Sequence, residues 1–262
     1  MKKVFAIVVS AILLLSCLAG CSDPGASLAT VQKSGKLTIA TSPDFPPFES
    51  LGEGGKVEGI EIDILNIICE KLGVELVINQ MDFDSVLPSI QAGKYNVGVS
   101  GISVTPKRQK NALFTDPYCL AAQAIVVLKD SPIQTKADLT GKKIAVQTGT
   151  TAESYCMENS YDISAFAANN DAQSALLTGK VDAWVIDDLT AADMVKAYNE
   201  ANGEQLVILS EALTTEPYAF AFAFGSETLV EEINKIIADL LADGTIAAIF
   251  EKYEAPYTAP TN

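Results

Sequence analysis

The chain has 262 residues, 48% of them hydrophobic, with 33 acidic against 18 basic side chains, no histidine and a net charge of -15. This composition suits a globular protein of one large domain or two modest lobes and excludes a structureless polar chain. The charge disfavours nucleic acid and anionic membrane surfaces as partners, and without histidine the usual triad base and zinc ligand are missing, so neither a cofactor nor a metal is expected.

Residues 1–20 read as a secretory signal. Lys2 and Lys3 precede an apolar run, Val4 to Leu15, that is too short to span a bilayer comfortably, and small residues follow at Ala19 and Gly20. The end, Leu18-Ala19-Gly20-Cys21, resembles the bacterial lipobox, in which the cysteine is lipidated and becomes the mature N-terminus. Residues 21–27, with Pro24 and Gly25, read as a flexible tether. The body is expected to lie outside the cytoplasm, anchored by lipid to a bacterial membrane, on either a cell surface or a periplasmic face. Cys69, Cys119 and Cys156 remain, an odd number with no CxxC spacing. Cys69 reads as core packing in an apolar helix, and a pairing of Cys119 with Cys156 stays open.

The body then alternates. "KLTIATS" (36–42) predicts a buried strand, "IEIDILNIICEKLG" (60–73) a helix closed by Gly73, and "VELVINQ" (74–80) a second strand. A helix around Asp84 to Ala92, the strand "YNVGVSG" (95–101) and a helix after Thr105 follow. Such βαβ alternation implies α/β architecture, a mostly parallel sheet flanked by helices, with ligands gathering at the carboxyl ends of strands. The plan recurs: "IQAGKYNVGVSG" (90–101) aligns with "LLTGKVDAWVID" (176–187) at a shift of 86 residues, and "KLTIATS" with "KKIAVQTGT" (142–150). Chance similarity between α/β segments is the plainer explanation. In both copies, however, polar residues cluster just past strand ends: Ser100, Gly101 and Ser103 in one, Asp187 and Asp188 in the other, with Thr148 to Thr151 nearby. Two lobes facing through these ends would enclose a polar cleft.

Arg108 is the only arginine, beside 17 lysines. Thr105 can cap a helix, Pro106 suits its first position, and Arg108 falls in the first turn, where a cation opposes the helix dipole. Dipole and guanidinium instead add their attraction for an anion, and the planar fork fits a carboxylate bidentately. A surface ion pair is the bland alternative. On the facing lobe Asp187 is placed to accept from an ammonium, with Asp188 either its competitor or the cap of the next helix. Carboxylate plus ammonium describes a free amino acid. Phe45 and Phe83 follow strands ending at the same edge and could clamp a side chain or simply pack on the core.

The runs "LTIATSPDFPPFES", "GIEIDILNIICEKLG", "MDFDSVLPSIQAGKYNVGVSGISVTPKRQKNALFTDPY" and "PYAFAFAFGSETLVEEINKIIADLLADGTIAAIFEKY" together resemble the family 3 solute-binding proteins, the polar amino-acid-binding proteins of bacterial ABC importers, over roughly residues 30–254. The resemblance implies a two-lobed periplasmic-binding-protein-like fold of type II. Lobe 1 would be residues 28–118 with 218–254, and lobe 2 residues 119–217. A two-strand hinge would lie near Tyr118 to Ala122 and Leu213 to Pro217, and a disordered tail at 255–262. It further implies that Arg108, Ser103, Thr150 and Thr151 take the ligand carboxylate, and that Asp187, Gly101 and Ser103 take its amino group. Phe45, Phe83, Ser42, Asp44, Ser100 and Gln147 would line the side-chain pocket.

The first strand's Thr is followed by Ser42, where many members with cationic or amide ligands carry an acid; Asp44 lies two residues on. With Gln147 and Ser100 this favours a polar uncharged ligand such as glutamine, with arginine, lysine and cystine open. The implied role is capture of a free L-amino acid by hinge closure and delivery to an ABC permease, by a monomer without enzymatic activity. Alternatives are a cyclohexadienyl dehydratase-like enzyme, with Glu153 and Asp82 as candidate acids, and a ligand-sensing module of a signalling system.

Overall fold

The computed structural model describes residues 24–260, so the secretory signal and Cys21 lie outside the described residues. The first half runs α1 (Leu28–Ser34), β1 (Lys36–Thr41), the meander β2 (Asp44–Phe45), β3 (Glu49–Leu51) and β4 (Val57–Glu58), then α2 (Ile60–Leu72), β5 (Glu75–Gln80), α3 (Phe83–Gln91), β6 (Val97–Gly98), α4 (Pro106–Gln109), β7 (Leu113–Phe114) and β8 (Cys119–Ala121). The second half runs β9 (Gln123–Leu128), β10 (Lys143–Gln147), α5 (Thr151–Glu158), β11 (Asp162–Phe166), α6 (Asn169–Leu177), β12 (Ala183–Asp187), α7 (Asp188–Asn202), β13 (Leu206–Ile208), β14 (Glu216–Tyr218), β15 (Ala221–Phe222), α8 (Glu227–Ala242) and α9 (Thr245–Lys252).

These elements build two five-stranded sheets of matching order, β5-β1-β6-β15-β7 and β11-β10-β12-β9-β13. In each, a central strand pairs in parallel with two neighbours, β1 with β5 and β6, β10 with β11 and β12. Successive residues Ile39 and Ala40 on β1, and Ile144, Ala145 and Val146 on β10, are all fully buried. Adjacent strand residues face opposite sides, so both faces of each sheet are covered. A reversed strand then joins each sheet, β15 beside β6 and β9 beside β12. Both follow directly on β8 and β14, which pair antiparallel as the crossing between the lobes, with Leu120 opposite Pro217.

The 86-residue repeat is carried by side chains as well as by order. Gly93 and Gly179 both have φ 68°. Lys94 N donates to Ser89 O and Lys180 N to Ala175 O, each five residues back. Asn96 Oδ1 accepts from the backbone N of Thr38 at 2.9 Å, and Asp182 Oδ2 from that of Lys143 at 2.8 Å. One helix end, one turn and one side-chain brace onto the central strand thus occur twice, and the two copies set β6 and β12 at the same place in their sheets.

Helix α2 starts at Gly59, whose φ of 142° and extended ψ belong to a region that only glycine occupies comfortably. A Cβ there would lie 2.1 Å from the backbone oxygen of Phe48. Gly59→Ala is therefore expected to destabilise the fold by at least about 1–3 kcal/mol, read as a melting temperature lower by several degrees in calorimetry.

Three expectations are corrected. The 95–101 strand contracts to Val97–Gly98, because Ser100 and Gly101 turn away to bond side chains at the cleft. The tether is not free over residues 24–27: Gly25 N donates to Phe224 O at 2.9 Å and Ser27 caps α1. The tail is not disordered over 255–260: Leu120 N donates to Thr258 O at 2.9 Å, and the Tyr257 ring packs on Phe250 at 4.9 Å. In both cases a backbone group found a partner that composition does not reveal. The three described cysteines are free and buried, Cys119 and Cys156 included. Burial raises the Cys69 thiol to about 11 and that of Cys156 to about 12, which keeps them unreactive.

Candidate functional site

The Thr-Pro turn builds as its chemistry dictates. Thr105 accepts from the backbone N of Arg108 at 3.2 Å, and Pro106 opens the single-turn α4. This aims the half-buried guanidinium across the cleft: Nη1 donates to Ser103 O at 2.9 Å and Nη2 to Gly149 O of the other lobe at 3.2 Å. The guanidinium also lies 5.6 Å from the centre of the Phe83 ring. Among the described residues Arg108 is in no ion pair, which removes the bland explanation for it.

Opposite, Asp187 closes β12 and is 6% exposed. It accepts from the Tyr218 hydroxyl. Burial, and then the charge of Glu216, raise its pKa to about 7, against the pull of Tyr218 and Gln123. Asp188 is occupied elsewhere, accepting from the backbone N of Ala122 at 3.1 Å and of Leu189 at 2.9 Å. Of these two neighbouring acids, only Asp187 therefore turns its carboxyl into the cavity.

Ten of the twelve candidate residues surround one cavity: Phe45, Phe83, Ser100, Gly101, Ser103, Arg108, Gln147, Thr150, Thr151 and Asp187. Its volume is about 10 Å³, room for about one water. Beside it a groove of about 630 Å³, which Phe83, Arg108, Thr150 and Thr151 also line, opens toward solvent. Phe45 stacks on Phe48 at 5.6 Å, and a Cβ on Gly101 would stand 2.4 Å from the Phe45 ring, so glycine is what admits that ring. The other two candidates brace the lobes. Ser42 donates to Asp44 Oδ1 at 2.7 Å, and Asp44 Oδ2 accepts from Gln147 Nε2 at 3.0 Å and Asn169 N at 2.8 Å. The candidate acids Glu153 and Asp82 are not among the cavity's lining residues. Glu153 accepts from Gly149 N at 2.7 Å, and Asp82 is exposed at the start of α3.

Beneath the Ser100-Gly101 turn lies a pair that sequence reading missed. Glu49 and Glu61 are both fully buried. Glu49 accepts from Ser100 Oγ at 2.7 Å, while Glu61 accepts from Gly101 N at 2.9 Å and the Tyr118 hydroxyl at 2.6 Å. Burial raises both acids, and the charge of Glu61 pushes Glu49 further. Two buried carboxyls so placed disfavour ionising together, and Oε2 of Glu49 has no hydrogen-bond partner among the described residues. The signal was faint: an acid within the apolar run of α2. A second missed residue is Glu216, which accepts from Ser103 Oγ at 2.5 Å, Thr151 Oγ1 at 2.7 Å and Thr214 Oγ1 at 2.8 Å. The Thr150 hydroxyl serves its own helix, donating to Gln147 O at 2.7 Å and accepting from Glu153 N at 3.1 Å. What this turn has left for an anion is the backbone N–H groups opening α5.

Similarity to known proteins follows the same frame. The profile of the bacterial extracellular solute-binding proteins, family 3, matches residues 37–256. The L-cystine-binding protein TcyJ of Escherichia coli is 29% identical over 230 residues, 86% of this chain and 85% of its own. Among crystal structures, a mutant of ArgBP from T. maritima is 36% identical with a TM-score of 0.80, over 87% of this chain and 98% of its own. The ancestral amino acid-binding protein AncCDT-1, a precursor of cyclohexadienyl dehydratase, is 32% identical with a TM-score of 0.79, over 86% and 98%. The two sheets and their crossing strands are the type II periplasmic-binding-protein fold, and the chain belongs to the bacterial extracellular solute-binding proteins of family 3.

Proposed function

We propose that the protein captures a free polar amino acid between lobe 1 (28–118 with 218–254) and lobe 2 (119–217) and delivers it to the permease of an ABC importer. The observation that carries this reading is one cavity with the lone guanidinium on one lobe and a buried carboxyl, Asp187, on the other. Arg108 and the N–H groups opening α5 take the ligand carboxylate; Asp187 and the Gly101 carbonyl take its ammonium. Phe45 and Phe83 flank the side chain, with Gln147 at its polar end. Asp44 spends its oxygens on Ser42, Gln147 and Asn169, which favours an uncharged side chain such as that of glutamine over a guanidinium.

The lobes open about β8 and β14, and a ligand touching both stabilises the closed form by its differential contacts, as in the hinge closure known for periplasmic binding proteins. Lipid on Cys21 holds the protein to the extracytoplasmic face of a membrane. The relatives are named as binding proteins, and Glu153 and Asp82 stand outside the cavity lining, which supports binding over the enzymatic alternative. A thermal-shift screen against the twenty amino acids with cystine and ornithine tests the reading. A ligand at 100 times its Kd adds about 2.7 kcal/mol, a shift of roughly 5–10 °C for a chain of this size. Glutamine is expected among the strongest shifts; no shift with any of them would refute the function.

A further inference from the structure

Ser103 and Thr151 stand on opposite lobes, and each hydroxyl has a single proton to give. Both protons go to the same oxygen, Oε2 of Glu216, at 2.5 and 2.7 Å. The Thr151 oxygen also accepts from Gln123 Nε2 at 3.2 Å, and because a carboxylate can only accept, the hydroxyl proton goes to Glu216. Glu216 is 7% exposed and belongs to β14, one of the two strands that cross between the lobes. Its carboxylate thus bonds lobe 1, lobe 2 and, through Thr214, the crossing segment itself. It is also the acid whose charge most offsets the effect of burial on Arg108. A carboxylate held by the Ser103 and Thr151 hydroxyls beside Arg108 is the arrangement that an amino acid's own carboxylate would need. In this arrangement the cavity between Arg108 and Asp187 is about 10 Å³, too small for any amino acid, and Glu216 stands between it and the open groove that it also lines.

We propose that Glu216 is a built-in stand-in for the ligand carboxylate, a latch that joins the two lobes when no amino acid is bound and must release Ser103 and Thr151 before one can bind. This rests on the amino-acid-binding reading above. Released, Glu216 retains Thr214 Oγ1 as a partner at 2.8 Å, so the exchange leaves it no orphaned charge. The latched form competes with the ligand, and apparent affinity falls by the fraction of molecules that it occupies.

The test uses the mature chain with Glu216→Ala and, as a shape-preserving second variant, Glu216→Gln. Calorimetry gives Kd for the amino acid with the largest thermal shift, and X-ray scattering gives the radius of gyration without amino acid. The latch predicts affinity about ten-fold tighter for Glu216→Ala and a smaller gain for Glu216→Gln, with a larger radius of gyration in both. Equal or weaker binding in either folded variant, or an unchanged radius, overturns it. Should the parent bind no amino acid at all, the transport reading fails instead, and the scattering comparison alone still decides whether Glu216 holds the lobes together.

Discussion

Asp187→Asn is expected to make the protein without amino acid melt higher at pH 8 while lowering its affinity for amino acids by about 2–5 kcal/mol, the range for removing one member of a buried charge pair. The carboxyl is held at about 7 in the fold, chiefly by burial, against an ordinary value of 3.8. In the unfolded chain it ionises near pH 4, whereas in the fold it keeps its proton until about pH 7. The folded value is the raised one, so no penalty exists below pH 4, stability is lost as pH rises through 7, and the loss is constant above. A difference of about three units amounts to about 4 kcal/mol at most. An amide never titrates and escapes that loss, so parent and variant should melt alike at pH 4 and diverge at pH 8.

Ligand binding has the opposite slope, since an ammonium needs the ionised form. Parent affinity should rise between pH 5.5 and 8 with release of a proton, and Asp187→Asn should flatten that rise. Calorimetry across this range in buffers of different ionisation enthalpy reads both affinity and proton release. An affinity independent of pH in the parent, or unchanged in the variant, would remove Asp187 from the ammonium site. Stability traded for a charged group at the site is the pattern expected where function requires it.

Arg108→Lys should weaken binding by about 1.5–3 kcal/mol, because the ammonium keeps the charge but loses the planar fork that spans two carboxylate oxygens. Arg108→Ala, which also removes the charge, should lose about 2–5 kcal/mol. Neither should change the melting temperature much. The guanidinium bonds only two carbonyls and rests on the Phe83 ring, a contact worth roughly 0.5–1 kcal/mol at a partly exposed site. Isothermal titration beside a melting curve separates the two effects. If Arg108→Lys bound its best amino acid as tightly as the parent, another group would have to hold the carboxylate.

Much of the candidate site's geometry was legible because its parts are local. Thr105, Pro106 and Arg108 form their turn within four residues, and that turn alone sets where the guanidinium leaves the backbone. Asp187 could be preferred to Asp188 because it ends an apolar strand. The repeat was readable for a similar reason: Gly93 with Gly179, and Asn96 with Asp182, sit at one offset in two copies of a turn whose conformation demands them.

Glu216, Tyr218, Glu49 and Glu61 were not legible. Glu216 meets Ser103 across 113 residues and Tyr218 meets Asp187 across 31, so their partners follow from which lobes the crossing strands bring together. The acidity of Glu49 and Glu61 depends on burial supplied by distant segments, which no local pattern encodes. By itself the sequence determined the α/β alternation, its duplication and the turn that presents Arg108, since backbone propensity and side-chain period act over a few residues. Only the tertiary structure decided the reversed strand in each sheet, the docked tail and which hydroxyl protons are already taken. Desolvation and hydrogen-bond saturation depend on everything packed around a group, and for this protein most of that lies far away along the chain.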